Sequence, residues 1–210
     1  MTHYKKFAVL ISGNGSNLQA LIDASSADDY PGRISVVISN VEDAYGLSRA
    51  KDSDIPHHFV DHVGAPREEF ENEMITILER YDTEWVCLAG FMRVLTPKFI
   101  DRYRGKILNV HPSLLPAHPG VNAHEDVIRS GDRVSGATVH YVDEKVDNGR
   151  ICLQKACLVY PDDTVDTLRE RVHKIEHEIY PKALKFILWK AIRQEKRREH
   201  ESWNSDGQQV

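Results

Sequence analysis

The chain has 210 residues, of which 41% are hydrophobic and 28% charged, and its formal net charge is -5. These values are ordinary for a globular protein with one large domain or two small ones, and the negative charge gives no electrostatic footprint for nucleic acid. There is no signal peptide and no apolar run long enough to span a bilayer, so we expect a cytoplasmic protein without membrane or nucleic-acid partners.

The first half of the chain alternates strand patterns with helix patterns. Buried strands are predicted over 7–11, 34–39, 57–60, 85–90 and 106–111, and helices over 18–24, 44–51 and 67–81. Because strands that alternate with helices form parallel sheets covered on both faces, this order predicts an α/β fold with a Rossmann-like, mostly parallel twisted sheet.

The second half changes character. It predicts a short helix over 123–130, an alternating strand over 136–142 on a less buried flank, and another strand over 151–159. A long helical pattern covers 163–194, with Pro181 as a point where it can break. We therefore expect an antiparallel edge in the C-terminal half. One domain is predicted over 1–195, with a phosphate-binding lobe to about 105 and a catalytic lobe from about 106, followed by a flexible tail over 196–210.

A glycine-rich loop, Gly13-Asn14-Gly15-Ser16-Asn17, joins the first strand to the first helix. Glycines let a backbone approach an anion closely, and a helix N-terminus offers it free N–H groups and a positive dipole end. Ser16 and Asn17 can cap that helix or donate to phosphate oxygens. Because the loop is not GxGxxG and lacks the lysine of a P-loop, it indicates a site for one phosphate monoester, or only a glycine-rich cap.

Two polar side chains interrupt the predicted strand that ends at residue 111. Asn109 and His111 alternate with apolar residues, so both project from one face, at the carboxyl end where open α/β sheets bind ligands. An asparagine there can donate to a developing oxyanion, and a histidine titrates near neutral pH. The same pattern also fits a core pair that is satisfied by backbone groups.

A third group of candidates follows in the next strand and turn. Asp147 precedes Asn148-Gly149, a strong turn signal, so its carboxylate can approach a histidine and favour the charged ring, or can serve only the turn. Thr138 and His140 share one face of the preceding strand, and His140 is read as a structural hydrogen-bonding residue. Asp143 and Glu144 in the same loop read as solvated charges, although the loop backbone can meet a ligand.

Apolar residues with exposed amides follow the strand over 85–90. Met92, Arg93, Val94 and Leu95 lie at the predicted carboxyl edge and can hold a flat heteroaromatic ring, or merely cap the core. The three cysteines form no CxxC pair, so neither a zinc site nor a disulfide framework is expected.

Four segments together carry a family resemblance: ISGNGSNLQALIDA, LAGFMRVLTP, ILNVHPSLLPAHPG and GATVHYVDEKVDNGRI. In this order they resemble the phosphoribosylglycinamide formyltransferases, folate-dependent enzymes of purine synthesis, over about residues 7–181. The HPSLLP segment and the later VDNG aspartate are similar to the wider group of 10-formyltetrahydrofolate hydrolases and transferases. The SGNGSNLQ loop is narrower and points to the glycinamide ribonucleotide enzymes and their deformylase relatives.

The resemblance implies a role for each matching residue. Asn109, His111 and Asp147 would be catalytic, supported by Thr138 and His140. The ribonucleotide and its phosphate would be held by Gly15, Ser16, Asn17 and Glu176. The folate site would comprise Arg67, Met92, Arg93, Val94, Leu95, Asn109, Asp143, Glu144 and Val146. The co-substrate would be 10-formyltetrahydrofolate and the acceptor glycinamide ribonucleotide, with no metal, in a monomer or homodimer.

Two positions depart from the family pattern. His173 stands where relatives have glutamine, and Asn122 where histidine is common. The alternatives are a formyltetrahydrofolate deformylase, which carries an additional N-terminal regulatory domain, and a non-catalytic phosphoribosyl-binding module. The second alternative would require the glycine-rich loop, but not Asn109, His111 and Asp147 together. Methionyl-tRNA formyltransferase carries a C-terminal RNA-binding domain, and nothing basic and folded is expected after residue 200.

Overall fold

The computed structural model describes residues 4–206, with the backbone alone for 202–206. These residues form seven strands and six helices. In chain order they are β1 (Lys5–Ile11), α1 (Ser16–Ser25), β2 (Gly32–Ser39), α2 (Tyr45–Asp52), β3 (His57–Phe59), α3 (Arg67–Arg80), β4 (Trp85–Leu88), α4 (Pro97–Arg102), β5 (Ile107–His111), α5 (Ala123–Ser130), β6 (Val134–Tyr141), β7 (Ile151–Leu158) and α6 (Val165–Asp206).

All seven strands belong to one sheet in the order β3-β2-β1-β4-β5-β6-β7. The pairs from β3 to β5 are parallel, whereas β6 and β7 join antiparallel at one side. This confirms the predicted Rossmann-like, mostly parallel sheet with an antiparallel edge. The sheet runs without interruption through both halves of the chain.

The two faces of the sheet carry separate hydrophobic cores, which is why β1 is apolar from Phe7 to Ile11. Phe7, Val9 and Ile11 face the core that includes α1 and α6. Ala8 and Leu10 face the core that includes α3 and α4. All five side chains are fully buried, as is expected for a central strand covered by helices on both sides.

The strand order reverses between β1 and β4, and this point locates the site. From β1 the chain continues to β2 on one side, while β4 leads to β5 on the other. The carboxyl ends stay paired, since Ala89 N–H donates to the Leu10 carbonyl across 2.9 Å and Ser12 N–H to the Gly90 carbonyl across 3.1 Å. Open α/β sheets bind ligands in the crevice that such a reversal creates.

Two elements differ from what the sequence predicts. The strand predicted on a less buried flank is β6, yet its residues 135–140 are buried, because β7 covers its outer edge and is itself largely exposed. The sequence analysis also missed α4, although Pro97 at its first turn and the Thr96 side chain that caps it are both helix-start signals.

The last helix is longer and more continuous than predicted. It passes through Pro181 without a break. Buried Tyr180 fastens this turn to the sheet, its hydroxyl lying 3.0 Å from the Leu88 carbonyl oxygen, and the Pro181 carbonyl accepts from the Tyr30 hydroxyl across 2.9 Å. The predicted flexible tail over 196–210 is helical to Asp206, and residues 196–201, which are mostly good helix formers, carry the helix into it. Residues 207–210 lie outside the described part.

None of the helices in the described part of the chain combines the length and the apolar character needed to cross a bilayer.

Candidate active site

The polar side chains predicted on β5 and β6 meet on one face of the sheet. The antiparallel register places Asn109 opposite His140 and His111 opposite Thr138. Opposed side chains of an antiparallel pair lie on the same face, and residues two apart along a strand share that face as well. The sequence therefore brings four polar side chains together where β5 ends.

The Asn109 amide is oriented by His140. The Nδ1 atom of His140 lies 2.9 Å from the Tyr141 carbonyl oxygen. That oxygen can only accept, so Nδ1 carries the proton and Nε2 accepts from Asn109 Nδ2 across 3.2 Å. Burial lowers the pKa of His140, so the ring stays neutral at pH 7. Among the described side chains the Asn109 amide has this one hydrogen bond, and its second hydrogen can serve a ligand.

His111 faces an oxygen acceptor at each ring nitrogen. Its Nδ1 lies 3.3 Å from Asp147 Oδ2, and its Nε2 lies 2.9 Å from the His118 carbonyl oxygen. Asp147 Oδ2 also accepts from Gly120 N–H across 2.8 Å, and Oδ1 lies 3.6 Å from His140 Nε2. The side chains of His111 and Asp147 are 5% and 9% exposed. A largely water-excluded carboxylate therefore lies beside the histidine, as the turn signal suggested.

The turn that carries Asp147 has little freedom. Asp147 adopts the left-handed φ of 52°, which aspartate tolerates better than most residues. A Cβ atom at Gly149 would lie 1.7 Å from the Tyr141 carbonyl oxygen, so only glycine fits there. Together these features fix the direction from which the carboxylate approaches His111.

Thr138 supports the loop that follows β5. Its hydroxyl donates to the Ser113 carbonyl across 2.6 Å. The same oxygen accepts from Leu115 N–H across 3.1 Å and from Gln154 Nε2 across 2.8 Å. The side chain is fully buried, so Thr138 holds the loop and does not face the cavity. The peptide bond between Leu115 and Pro116, left open by the sequence, is cis.

A cavity of about 240 Å³ opens beside these polar groups. Its walls combine the loop after β4, the end of β5 and the loop between β6 and β7. The lining residues are Leu88, Gly90, Phe91, Met92, Arg93, Val94, Leu95, Ile100, Asn109, His111, Pro112, Gly120, Val121, His140, Val142, Asp143, Glu144, Lys145, Val146 and Asp147. The structure thus brings Asn109, His111 and Asp147 to one cavity with the two predicted ring-binding segments.

The glycine-rich loop reaches the same edge of the sheet. Gly15 precedes α1 in the left-handed conformation, and no side chain caps the helix, so Ser16 and Asn17 do not act as caps. Arg49 holds the loop, since its Nε lies 2.9 Å from the Asn14 carbonyl oxygen and its guanidinium also reaches Asn14 Oδ1. The first turn of α1 is therefore open to an anion, as the phosphate hypothesis requires.

Replacing Gly15 by alanine is expected to lower the free energy of unfolding by more than about 1 kcal/mol. The residue has a φ of +74°, which costs an alanine about 1–2 kcal/mol. The new Cβ atom would also lie 2.7 Å from the Gly46 Cα atom.

Urea unfolding of Gly15→Ala and Gly13→Ala measures this effect. Gly13 is the matched control, because a Cβ atom there meets no heavy atom within 4 Å among the described residues and its φ is not left-handed. Its alanine variant should be as stable as wild type or slightly more stable. Equal stability of the two variants would contradict the described loop geometry.

Ser12 connects the glycine-rich loop to the cavity wall. Its hydroxyl donates to Asn40 Oδ1 across 2.5 Å and accepts from Met92 N–H across 2.8 Å. Ser12 was not among the predicted site residues, because its only indication in the sequence is its place directly after β1. The two predicted ligand segments are therefore physically joined.

Glu176 lies buried beneath the start of α1. Its Oε2 accepts from Asn17 Nδ2 across 2.9 Å, and Glu176 is only 3% exposed. Burial raises the pKa of Glu176 to about 7, against the opposing effect of the Asn17 hydrogen bond. Asn17 Oδ1 is buried without a hydrogen-bond partner among the described residues. This pair has polar capacity left for a ligand.

The stability contributed by Glu176 should fall as the pH rises. Because folding raises its pKa from 4.5 to about 7, the protonated carboxyl favours the folded state. That contribution is complete below about pH 4.5 and is lost through about pH 7, by roughly 3 kcal/mol. Urea unfolding of wild type and Glu176→Gln from pH 4 to pH 8 checks this, since the difference in unfolding free energy should change across that range. A constant difference would show that the group ionises normally.

The remaining predicted residues lie around the cavity. Arg67 begins α3, is exposed and is not among the lining residues. His173 is half-buried, with Nε2 at 3.9 Å from Glu176 Oε2, and burial lowers its pKa. Asn122 is exposed before α5. Within the described residues, no group of three or more histidine, cysteine, aspartate or glutamate side chains could hold a metal ion.

Several lining residues were not predicted. Phe91, Pro112, Val121, Val142 and Lys145 also face the cavity. Phe91, Pro112, Val142 and Lys145 each lie next to a predicted residue in the sequence, whereas Val121 lies in the loop after β5 and has no such neighbour.

A family model described as "Formyl transferase" matches residues 5–184. The chain is 44% identical over 184 residues to the phosphoribosylglycinamide formyltransferase of Haemophilus influenzae, covering 87% of each chain. It is 46% identical over 186 residues to the trifunctional purine biosynthetic protein adenosine-3 of Chironomus tentans, covering 87% of this chain and 14% of that one. The chain spans less than a fifth of the trifunctional relatives that it matches.

Solved structures agree with these relatives. The fold superposes on glycinamide ribonucleotide transformylase 1 of Symbiobacterium toebii with a TM-score of 0.87 and 42% identity, covering 90% of this chain and 89% of that one. The similarity therefore extends over the sheet and both ligand segments.

Proposed function

The chain belongs to the formyl transferase family, and from this premise we propose that it transfers a formyl group from 10-formyltetrahydrofolate to the amine of glycinamide ribonucleotide. The product would be formylglycinamide ribonucleotide, an intermediate of purine biosynthesis. Two relatives that this chain matches over most of their length carry the name phosphoribosylglycinamide formyltransferase.

One observation carries the proposal: an amide donor and a histidine–carboxylate pair line the same cavity. Asn109 has an amide hydrogen to spare, and His111 lies 3.3 Å from Asp147. Acyl transfer needs a donor for the developing oxyanion and a group that moves a proton. A binding module for a phosphoribosyl group would have no use for these three residues together.

The first chemical step is attack of the glycinamide amine on the formyl carbon. A C–N bond forms, and the formyl oxygen takes the negative charge of a tetrahedral intermediate. Asn109 Nδ2 donates to that oxygen, and the positive charge of a protonated His111 nearby stabilises it. Asp147 orients the imidazole and stabilises its positive charge, while the His118 carbonyl holds the other ring nitrogen.

The second step breaks the bond to folate nitrogen N10. That nitrogen must gain a proton to leave, and the attacking amine must lose one, so one proton moves from amine to leaving group overall. His111, or a water held by Asp147, relays it. Holding both substrates in one crevice supplies a further large part of the acceleration.

Binding of the two substrates divides between the two segments that Ser12 joins. The ribonucleotide phosphate lies at the N-terminus of α1, held by Gly15, Ser16 and Asn17, with Glu176 bound to the ribose or glycinamide part. The pterin ring lies against the cavity-lining loops, held by Met92, Arg93, Val94, Leu95, Asn109, Asp143, Glu144 and Val146, with Arg67 near the folate tail.

A steady-state assay with 10-formyltetrahydrofolate tests the proposal, run with and without glycinamide ribonucleotide. We expect loss of the formyl folate only when the ribonucleotide is present. Loss without it would identify a deformylase that uses water as the nucleophile. No loss in either reaction, with retained binding of a phosphoribosyl ligand, would mean a binding module.

A further inference from the structure

A short segment of the loop after β5 contacts two of the three proposed catalytic residues. The His118 carbonyl oxygen accepts from His111 Nε2 across 2.9 Å. Two residues later, Gly120 N–H donates to Asp147 Oδ2 across 2.8 Å. The position of residues 118–120 therefore sets the orientation of both the imidazole and the carboxylate.

This segment has an unfavourable backbone conformation that needs support. His118 adopts a φ of 51°, in the left-handed region that costs a residue with a Cβ atom about 1–2 kcal/mol. Pro119 has no N–H group to donate, and Val121 after it is 84% exposed. The preceding residue, Ala117, is held by hydrogen bonds to the Leu114 carbonyl and from the Ser113 hydroxyl, so it is the C-terminal side of the segment that gains little support from its neighbours.

The His118 side chain supplies the support. Its Nε2 lies 2.7 Å from Asp132 Oδ2, and this hydrogen bond lowers the pKa of Asp132. Asp132 lies between α5 and β6, so the contact ties the loop to the framework of the sheet. Neither His118 nor Asp132 is among the residues that line the cavity. Their contribution is therefore to position other groups.

We propose that His118, anchored on Asp132, is a positioning residue that holds His111 and Asp147 in their catalytic orientation. The inference rests on the proposed formyl transfer, and no ligand contact is assigned to the pair. Loss of the anchor would let residues 118–120 move, so that His111 Nε2 and Asp147 Oδ2 would lose defined partners. Displacements of about 1 Å near reacting atoms can cost up to about 10²-fold in rate.

The test compares Asp132→Ala, His118→Ala and the double variant. Asp132→Ala is the more specific change, because it removes the anchor and leaves His118, with its own backbone preference, in place. We expect kcat to fall about tenfold in each, with KM for both substrates within about twofold of wild type. Because both changes break one contact, the double variant should lose no more than the single variants. Losses that multiply would overturn the proposal.

Asp29→Ala is the matched control. Asp29 is an exposed carboxylate with a cation, Lys185, at 2.7 Å, and that contact likewise lowers its pKa. It is not among the residues that line the cavity. Its kcat should equal that of wild type, and an equal loss in Asp29→Ala and Asp132→Ala would overturn a positioning role.

An NMR measurement separates this inference from the proposed function. Long-range proton–nitrogen spectra should show His111 Nε2 hydrogen-bonded in wild type and shifted or broadened in Asp132→Ala. An unchanged His111 signal overturns the proposal whatever the kinetics. A changed signal in a protein whose wild type transfers no formyl group would support the anchor and reject the function.

Discussion

Replacement of Asn109 by alanine is expected to reduce kcat for formyl transfer about 10²–10³-fold, or about 2.7–4 kcal/mol, in a protein that stays folded. The amide is the hydrogen-bond donor assigned to the tetrahedral oxyanion, and its orientation is fixed by His140 rather than by solvent. Because this donor is already oriented, it need not reorganise when charge develops on the formyl oxygen. Its removal therefore destabilises mainly the transition state. Steady-state kinetics at saturating substrates measure the effect.

Asn72→Ala is the control for this prediction. Asn72 is an exposed asparagine on α3 whose amide oxygen accepts from Lys98, and it lies outside the cavity lining. Its variant should turn over like wild type. If Asn109→Ala also kept wild-type kcat, the oxyanion role assigned to its amide would be wrong.

The central strands were predictable from the sequence because both faces of the sheet are covered. Runs such as residues 7–11 and 85–88 are apolar without alternation, and only a strand buried on both sides requires that pattern. The flank of the sheet was harder to predict. The alternation in β6 suggested one exposed face, yet β7 pairs with its outer edge and α6 packs against it. Neither neighbour can be inferred from the pattern within β6 itself.

The end of the chain differs in the other direction, since it has more regular structure than its sequence pattern indicates. Residues after 195 are charged and read as a solvated tail, but the charged residues there are good helix formers and simply extend α6 to Asp206. A polar helix that buries little surface has no hydrophobic period, so its sequence cannot be told from a tail by periodicity.

The site was more predictable than its support. Asn109 and His111 share a face by strand periodicity alone, and the register with β6 then adds His140. The contacts that aim these groups come from backbone atoms and distant side chains. The carbonyl of His118 and the hydroxyl of Ser12 have no sequence signature, because any residue offers a carbonyl and most serines are solvated.

The two kinds of support differ in consequence. Thr138 fixes a backbone segment by hydrogen bonds in the interior and Ser12 does so at the edge of the sheet, whereas His118 relies on a partly exposed hydrogen bond to Asp132. The first kind holds the fold of the crevice. In our proposal the second holds the imidazole of His111 and the carboxylate of Asp147, so its loss should affect the transition state more than the free energy of unfolding.

Asp147→Asn should reduce kcat by about 10²-fold, or about 2.7 kcal/mol, while leaving substrate KM values nearly unchanged. The carboxylate lies 3.3 Å from His111 Nδ1 with 9% of its side chain exposed. Opposite charges at about 4 Å attract by about 4 kcal/mol at an effective dielectric constant of about 20. An asparagine can still accept from Gly120 N–H, so the turn is kept, but it carries no charge to stabilise a protonated ring.

Asp61→Asn is the control, because it removes the charge of a carboxylate that does not line the cavity. Asp61 Oδ1 also accepts a 2.8 Å hydrogen bond from a backbone N–H group, that of Val63, but in an exposed loop. Its variant should keep full kcat. If Asp147→Asn kept it too, the carboxylate would serve the turn alone, which is the local role that the Asn148-Gly149 signal also allows. A loss confined to Asp147→Asn would instead mean that the reaction depends on its charge beside His111.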